Sequence, residues 1–162
     1  MSKDNGKMKE KIIFDNVLEV MVIDKATGKV KQHVKVKNAV IRGFINYWWG
    51  YMFAPENTAT YSDFVGFQYM NLFNTAKGYI KSLSGSWGTQ ADTGSAFQNT
   101  LTTTDTSTDA YTVAYVGASR GSNNTYGTGQ FFIAQLPSPI SKGSGDSLVF
   151  KWTFSMPYSA PP

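Results

Sequence analysis

The stretch Ile140-Ser-Lys-Gly-Ser-Gly-Asp-Ser-Leu-Val-Phe-Lys-Trp-Thr-Phe-Ser-Met-Pro-Tyr158 decides the fold class of this chain. From Leu148 to Met156 an apolar side chain occupies every second position, and mostly polar side chains lie between them. Because successive side chains of a strand point to opposite faces, this alternation predicts a β-strand with one face in a core. The segment Gly143–Asp146 predicts a tight turn before that strand, with glycine at a positive φ.

A β-hairpin is predicted near the N-terminus. The segments Ile12–Asp24 and Val30–Lys37 are rich in β-branched residues, and the second alternates valine with lysine in part. The loop Asp24–Lys29 between them places Gly28 where a hairpin connection needs a left-handed residue. We therefore expect two antiparallel strands with lysines along one of them.

Further strands are predicted at 64–73, 78–83, 110–116 and 130–136. In the third, Tyr111, Val113 and Tyr115 are expected to share one face. The segment Ser84–Asp109 is rich in Gly, Ser, Thr, Asn and Asp, and we expect a long loop that packs late or only against a partner.

One long helix is predicted at about 39–53, where apolar residues recur at helical spacing but cover nearly every side. A helix that is apolar all round is buried by its own sheet or by neighbouring subunits. It lacks the basic polar face of a membrane-lying helix. The fold class expected is thus mainly β: an antiparallel β-sandwich or flattened barrel with an N-terminal hairpin and one long buried helix.

At 162 residues the chain is long enough for one domain with a sizeable core. We expect a flexible basic arm at 1–10, a single β-rich domain at 11–158 and a short tail at 159–162. No secretory signal and no run of eighteen apolar residues is visible, so synthesis in the cytoplasm without membrane insertion is expected. Cysteine is absent, which excludes disulfides and thiolate metal sites.

Basic residues are concentrated at the start of the chain. Residues 1–43 contain ten Lys or Arg against five acids, whereas the remainder contains five against six. A basic arm on a neutral body suits docking to an acidic surface, and a solvated hairpin is the alternative. No alternation of basic and aromatic residues indicates direct nucleic-acid binding.

No catalytic constellation emerges from the sequence. His33 is the single histidine and has no carboxylate placed by the local sequence to orient it. Asp105 and Asp109 lie in a threonine-rich stretch that favours a solvated loop over a catalytic pair. The turn Gly143–Asp146 is followed by no helix and no Lys-Ser/Thr, so it is not a phosphate loop. We predict that the protein is not an enzyme and has no metal or cofactor site.

Aromatic residues make up 15% of the chain and charged residues only 16%, which favours either a well-packed core or burial between subunits. Trp87 could stack on a sugar ring, or it could pack onto the core or a neighbour. The candidate interface residues are Lys7, Lys9, Lys11, Trp48, Trp49, Tyr51 and Trp87. A homo-oligomer is expected because an all-apolar helix needs more cover than one small sheet provides.

The order of these segments resembles small structural proteins of tailed bacteriophages and related viruses. The matching stretches are Val36–Val40 with the helix after it, Phe64–Gly66, Thr100–Leu101, Tyr111–Val116 and Ile140–Met156. In the last, Lys142, Asp146, Leu148 and Trp152 stand at the positions of the family pattern. The chain departs from it at 67–99, which look like an insertion, and at 130–134, where a Glu-containing motif is missing.

The resemblance implies a virion protein without enzymatic activity. Its expected partners are the major capsid protein, in the role of a capsid decoration or head-associated protein, or neck and tail proteins. A trimer is favoured because decoration proteins of this kind often assemble so. The alternatives are a tail or baseplate component, or a carbohydrate-binding β-sandwich that recognises a receptor.

Overall fold

The computed structural model describes residues 15–37 and 68–157. These residues form two antiparallel β-sheets and contain no helix, so the mainly β prediction is confirmed for them. The basic arm at 1–10, the helix predicted at 39–53 and the tail at 159–162 lie outside the described residues.

The described residues contain ten strands. In chain order they are β1 (Asp15–Asp24), β2 (Val30–Lys37), β3 (Tyr69–Phe73), β4 (Tyr79–Ser84), β5 (Ser86–Trp87), β6 (Ala91–Asp92), β7 (Ala96–Asp105), β8 (Tyr111–Ser119), β9 (Phe132–Lys142) and β10 (Asp146–Pro157). Sheet A has the order β2-β1-β10-β7-β5, with β6 also paired to β7. Sheet B has the order β4-β3-β8-β9. Over the described ranges the two sheets do not close into a barrel, so the flattened-barrel alternative is not supported there.

The closing strand β10 lies at the centre of sheet A, between β1 and β7. Its apolar positions Leu148, Phe150, Trp152 and Phe154 are all buried, which confirms the predicted alternation. Burying one large apolar side chain contributes about 1.5–3 kcal/mol. The strand that is easiest to recognise in the sequence is therefore also the one that fills most of the core on its side.

One hydrophobic cluster draws side chains from both sheets. Phe132 at the start of β9 in sheet B contacts the rings of Trp152 and Phe154 in sheet A, at centroid separations of 6.2 and 4.9 Å. The strand predicted at 130–136 starts at Phe132 but runs on to Lys142. Pro137 and Pro139 lie where the ladder to β8 is interrupted. Proline has no N–H to donate to a ladder, and an edge strand such as β9 tolerates this because it has a neighbouring strand on one side only.

The loop predicted at 84–109 is wrong for most of its length. It contains β5, β6 and the long strand β7, which pairs with β10 from Leu148↔Asp105 to Pro157↔Ala96. Along β7, Leu101, Thr103 and Asp105 are buried and the threonines between them lie on the other face. Threonine is β-branched and suits a pleated surface, and the partner that stabilises this polar strand is about fifty residues away in the sequence.

The face predicted for β8 is also wrong at its centre. The register to β9 shifts between Val113 and Tyr115, which places Val116 and Ala118 in the core and Tyr115 on the opposite face. A β-bulge inserts an extra residue and so exchanges the inner and outer sets of side chains beyond it. Strict alternation therefore fails after Val113.

The two predicted turns are present. Gly28 has a φ of +69° in the β1–β2 hairpin, as expected. In the turn before β10, the Asp146 N–H donates to Gly143 O at 3.1 Å, and Asp146 Oδ2 accepts from the Gly143 N–H at 2.9 Å. Neither Gly143 nor Gly145 has a positive φ, so that part of the prediction is wrong. The Asp146 side chain, not a left-handed glycine, closes this turn.

Candidate functional site

Most of the predicted interface residues lie outside the described part of the chain. These are Lys7, Lys9, Lys11, Trp48, Trp49 and Tyr51. Trp87 is described. It lies in β5 opposite Leu101 of β7, and its ring centroid lies 5.7 Å from that of Phe154. It is half-buried against the core cluster, so the alternative that it packs onto the core is confirmed.

His33 has a carboxylate partner that the local sequence did not reveal. Its Nε2 lies 2.6 Å from Glu19 Oε1, and Lys35 Nζ lies 3.8 Å from Glu19 Oε2. The β1–β2 register pairs Glu19 with Lys35 and Met21 with His33, so His33 reaches Glu19 diagonally across the hairpin. The hairpin register was the signal that could have identified this pair.

The outer face of sheet A carries lysines, and we call it the lysine face. It consists of the outward side chains of β2, β1, β10 and β7: His33, Lys35, Lys37, Asp15, Val17, Glu19, Met21, Val149, Lys151, Thr153, Ser155, Thr100, Thr102 and Thr104. One cross-strand row runs Lys35, Glu19, Lys151 and Thr102. The register thus places Glu19 between two lysines, one on each neighbouring strand.

The lysine face is open at its basic positions. The side chains of His33 and Lys35 are 41% and 59% exposed, and Lys37 and Lys151 are also exposed. Among the described residues, no carboxylate lies within ion-pair distance of Lys37 or Lys151. Within the described part of the chain, these two ammonium groups are therefore available to an external anion.

A polar cluster joins β4, the end of β7 and the start of β8. Lys81 Nζ lies 3.1 Å from Asp105 Oδ2 and 2.8 Å from Asp109 Oδ2. Tyr111 donates its hydroxyl to the same oxygen of Asp105, and the Ser107 N–H donates to Asp105 Oδ1 at 2.9 Å. Asp105 is 4% exposed, so the solvated-loop interpretation is wrong for Asp105, while the Asp109 side chain is 64% exposed.

Lys142 belongs to the same polar cluster and is buried. Its Nζ donates to the carbonyl oxygens of Ser107 at 2.6 Å and Asp109 at 2.9 Å, with Gly143 O at 3.4 Å. Lys142 and Lys81 each lie 5.7 Å from the centroid of the Tyr111 ring. A charge that is buried in this way must be satisfied by hydrogen bonds, and here the β7–β8 turn supplies them.

The charges of the polar cluster set the protonation of its acids. Burial by itself raises the pKa of Asp105, but hydrogen bonds from Tyr111, Ser107 and Lys81 outweigh it and hold that pKa far below its usual range. Burial and the nearby Asp105 raise the pKa of Tyr111. The hydrogen bond from Lys81 lowers the pKa of Asp109. The cluster therefore stays charged and paired at neutral pH, which suits fixing turns in place.

The β1–β2 hairpin is joined to the same end of the molecule. Lys31 Nζ lies 2.9 Å from Asp146 Oδ1, and this hydrogen bond raises the pKa of Lys31 and lowers that of Asp146. Lys25 Nζ donates to Ser107 O at 3.3 Å and to Ser144 O at 3.4 Å. Three turns are thus connected by lysines whose partners lie far away in the sequence.

On the outer face of sheet B, Asn71 holds the loop that follows β8. Its Nδ2 donates to Ser119 Oγ at 2.6 Å, while its Oδ1 accepts from Ser82 Oγ at 2.6 Å and from the Asn123 N–H at 3.1 Å. Asn71 is fully buried, and these contacts satisfy its amide group.

Beside it lies an aromatic cluster. The Tyr126 ring packs edge-on against Phe73 and Tyr115, at centroid separations of 5.4 and 5.2 Å, and Lys77 Nζ lies 4.9 Å above Tyr126. Tyr79 contacts Phe73 at 6.2 Å and is 40% exposed. The cluster closes the loop onto sheet B and leaves part of the tyrosine surface accessible.

The described residues contain no group of three or more His, Cys, Asp or Glu that could hold a metal ion. Over the same ranges, no helix has the length and apolar character to cross a membrane. Comparisons with protein-family models, with curated proteins and with solved structures found no match to this chain.

Proposed function

We propose that this protein is a non-enzymatic virion structural protein, specifically a capsid decoration or head-associated protein that binds the repeating lattice of the major capsid protein. We further propose that its two sheets form a β-sandwich. The observation that carries the proposal is the lysine face: an exposed sheet surface on which Lys37 and Lys151 have no carboxylate within ion-pair distance among the described residues. The rest of the described scaffold is packed and cross-linked by hydrogen bonds. Such a surface suits docking onto another protein better than enclosing a small substrate.

The polar groups of the core support a structural role. Lys81 Nζ donates to Asp105 Oδ2, and Lys142 Nζ donates to two carbonyl oxygens of the β7–β8 turn. The charged groups of all three side chains therefore have hydrogen-bond partners within the chain. A catalytic acid or base needs a free position from which to reach a substrate. These groups hold the β7–β8 turn in place instead.

The family resemblance supports the same proposal at the level of fold. Of the residues that carry it, Leu148 and Trp152 are buried in the core, Asp146 closes the turn before β10, and Lys142 binds the β7–β8 turn. These are positions that build the end of the molecule. The shared pattern is thus evidence for a shared scaffold, on which attachment surfaces differ.

A homo-oligomer, with a trimer favoured, is part of the proposal. The expectation that 84–109 packs late or only against a partner does not support it, because β7 in this segment pairs with β10 of the same chain. The argument that remains is the apolar sequence at 39–53, which one small sheet does not cover. Sedimentation of the purified protein over a wide concentration range tests it: a monomer at every concentration contradicts the oligomer.

A tail or baseplate component, or a module that binds a receptor carbohydrate, is the second candidate. The aromatic cluster favours it, since Tyr79 and Tyr126 present partly accessible rings beside Lys77 and sugars stack on such rings. Trp87 no longer supports it because its ring packs on the core.

Location in the particle separates the candidates. Purified virions labelled with an antibody against this chain, or imaged by cryo-electron microscopy, should carry it on the shell for the first candidate and on the tail for the second. If the protein is found only free in the host cell, with no particle containing it, both candidates are wrong.

A further inference from the structure

We propose that the lysine face is the surface through which this protein docks, and that its partner presents an acidic protein surface. The inference deepens the proposed function and rests on it. The sequence predicted that the docking charges lie on the N-terminal arm. The lysine face instead combines β2 with β10, which are more than one hundred residues apart in the chain.

The charges of this face are arranged for an external partner. Lys37 and Lys151 lie on opposite sides of β1 and have no carboxylate of their own chain within ion-pair distance among the described residues. Glu19 between them is occupied by His33 and Lys35. Asp15, at the start of β1, is the other acid of the face. The accessible charge along the centre of the face is therefore positive.

The uncharged part of the face has the composition of an interface. Met21 and Val149 are half-buried and lie directly opposite each other on β1 and β10, and the half-buried Val17 lies on the other side of the Glu19–Lys151 pair. On β7 and β10, Thr100 and Thr153 share a hydroxyl hydrogen bond of 2.9 Å. Protein interfaces commonly surround an apolar centre with polar and charged groups. The lysine face offers the same two ingredients, with apolar side chains on both sides of its central charged row.

Nucleic acid is the less suitable partner. The residues of the lysine face include no aromatic ring on which a base could stack, and no arginine to grip a phosphate with two hydrogen bonds. Glu19 and Asp15 would also repel a continuous line of phosphates. Aliphatic side chains between lysines instead match an acidic protein surface with apolar patches.

Lysine footprinting on purified particles tests the docking surface. The particle-bound and free proteins are acylated at low reagent concentration, and modified lysines are quantified by mass spectrometry. We expect Lys35, Lys37 and Lys151 to be protected in the particle, while Lys29 and Lys77 react equally in both states. Equal reactivity of all five lysines overturns the inference while leaving the virion role intact. Absence of the protein from particles defeats the proposed function itself.

Charge reversal provides the second arm of the test. The K35E/K151E double variant should lose about tenfold or more of its occupancy on particles that lack the wild-type protein, because like charges repel across an interface. A matched variant, K77E/R120E, reverses two charges on turns of sheet B and should retain occupancy. Far-ultraviolet circular dichroism and thermal melting establish that both variants fold.

The same proteins, mixed with a double-stranded DNA probe, decide between partner classes. We expect no binding near physiological salt that depends on Lys35 and Lys151. Tight DNA binding by the wild type that K35E/K151E abolishes overturns the acidic-protein partner, as does full particle occupancy by K35E/K151E.

Discussion

Trp152 donates its indole N–H to Asn16 Oδ1 at 3.0 Å, and both residues are buried in sheet A. Leu18 of β1 lies directly opposite Trp152 of β10. Asn16 is the preceding inward-facing residue of β1, so it reaches the indole diagonally across the two strands. A buried indole needs a partner for its N–H, and the neighbouring strand provides it. The bond fixes the aromatic centre of the core against the N-terminal strand.

The Asn16→Ala variant should lose about 1–3 kcal/mol of unfolding free energy, because the buried Trp152 N–H is then left without its acceptor. Urea denaturation of the purified protein measures the loss. Asn124→Ala, in an exposed loop, is the matched control and should stay within about 0.5 kcal/mol of wild type. Equal stability of the two variants would show that the bond contributes little.

The alternation in 148–156 predicted which side chains of β10 enter the core. A strand with one buried face has an apolar residue at every second position, so the sequence shows which face is buried. The strand β7 was missed because its inward positions include Thr103 and Asp105, and only pairing with β10 makes such a polar segment a strand. Local composition carries no information on that pairing.

The candidate surfaces were less predictable than the core. Lysines 35 and 37 are visible in the sequence as part of the basic hairpin, but Lys151 joins them only through the register of three strands. The polar cluster likewise combines Lys81, Asp105 and Lys142 from separate parts of the chain. Sites assembled by non-local strand pairing leave no motif in the sequence.

Acid should unfold the protein through its depressed carboxyl pKa values. The pKa of Asp105 is lowered in the folded state, as are those of Asp109 and Asp146. A lowered pKa contributes stability above the unfolded-state pKa of about 3.9, and this contribution is lost as pH falls through the folded-state value. The unfolding free energy should therefore fall steadily below about pH 4.5.

This dependence is measured by urea denaturation at pH values between about 2.5 and 7, spaced by about half a pH unit. The Asp105→Asn variant should be less stable at neutral pH and should show a shallower acid slope, because it removes the group with the most strongly lowered pKa. A slope unchanged by this variant assigns the acid sensitivity to other carboxyls.

Lys142→Met should destabilise the protein by about 1–3 kcal/mol, because three carbonyl oxygens of two turns lose a buried ammonium donor while the apolar part of the side chain is kept. Lys151→Met is the matched control: the same substitution on the exposed face of β10 should change stability by no more than about 0.5 kcal/mol. Hydrogen exchange should show that Lys142→Met opens residues 105–111 most.

The opposite outcome is informative as well. Replacement of a buried charge by an apolar side chain is sometimes neutral or stabilising, because the cost of desolvating the charge disappears too. If Lys142→Met is as stable as wild type and its exchange pattern is unchanged, the carbonyl oxygens are satisfied without the ammonium. The polar cluster then does not hold the β7–β8 turn.

Trp87→Ala should lower the unfolding free energy by about 1–3 kcal/mol, because the ring is half-buried against Phe154 and the core. Phe97→Ala, which removes an aromatic ring that is 44% exposed on the neighbouring strand β7, should cost less. Thermal and urea denaturation compare the two variants, and a glycan array compares them with wild type. A stability equal to wild type, together with loss of a glycan signal that Phe97→Ala retains, would assign Trp87 to sugar binding and contradict its role in the core.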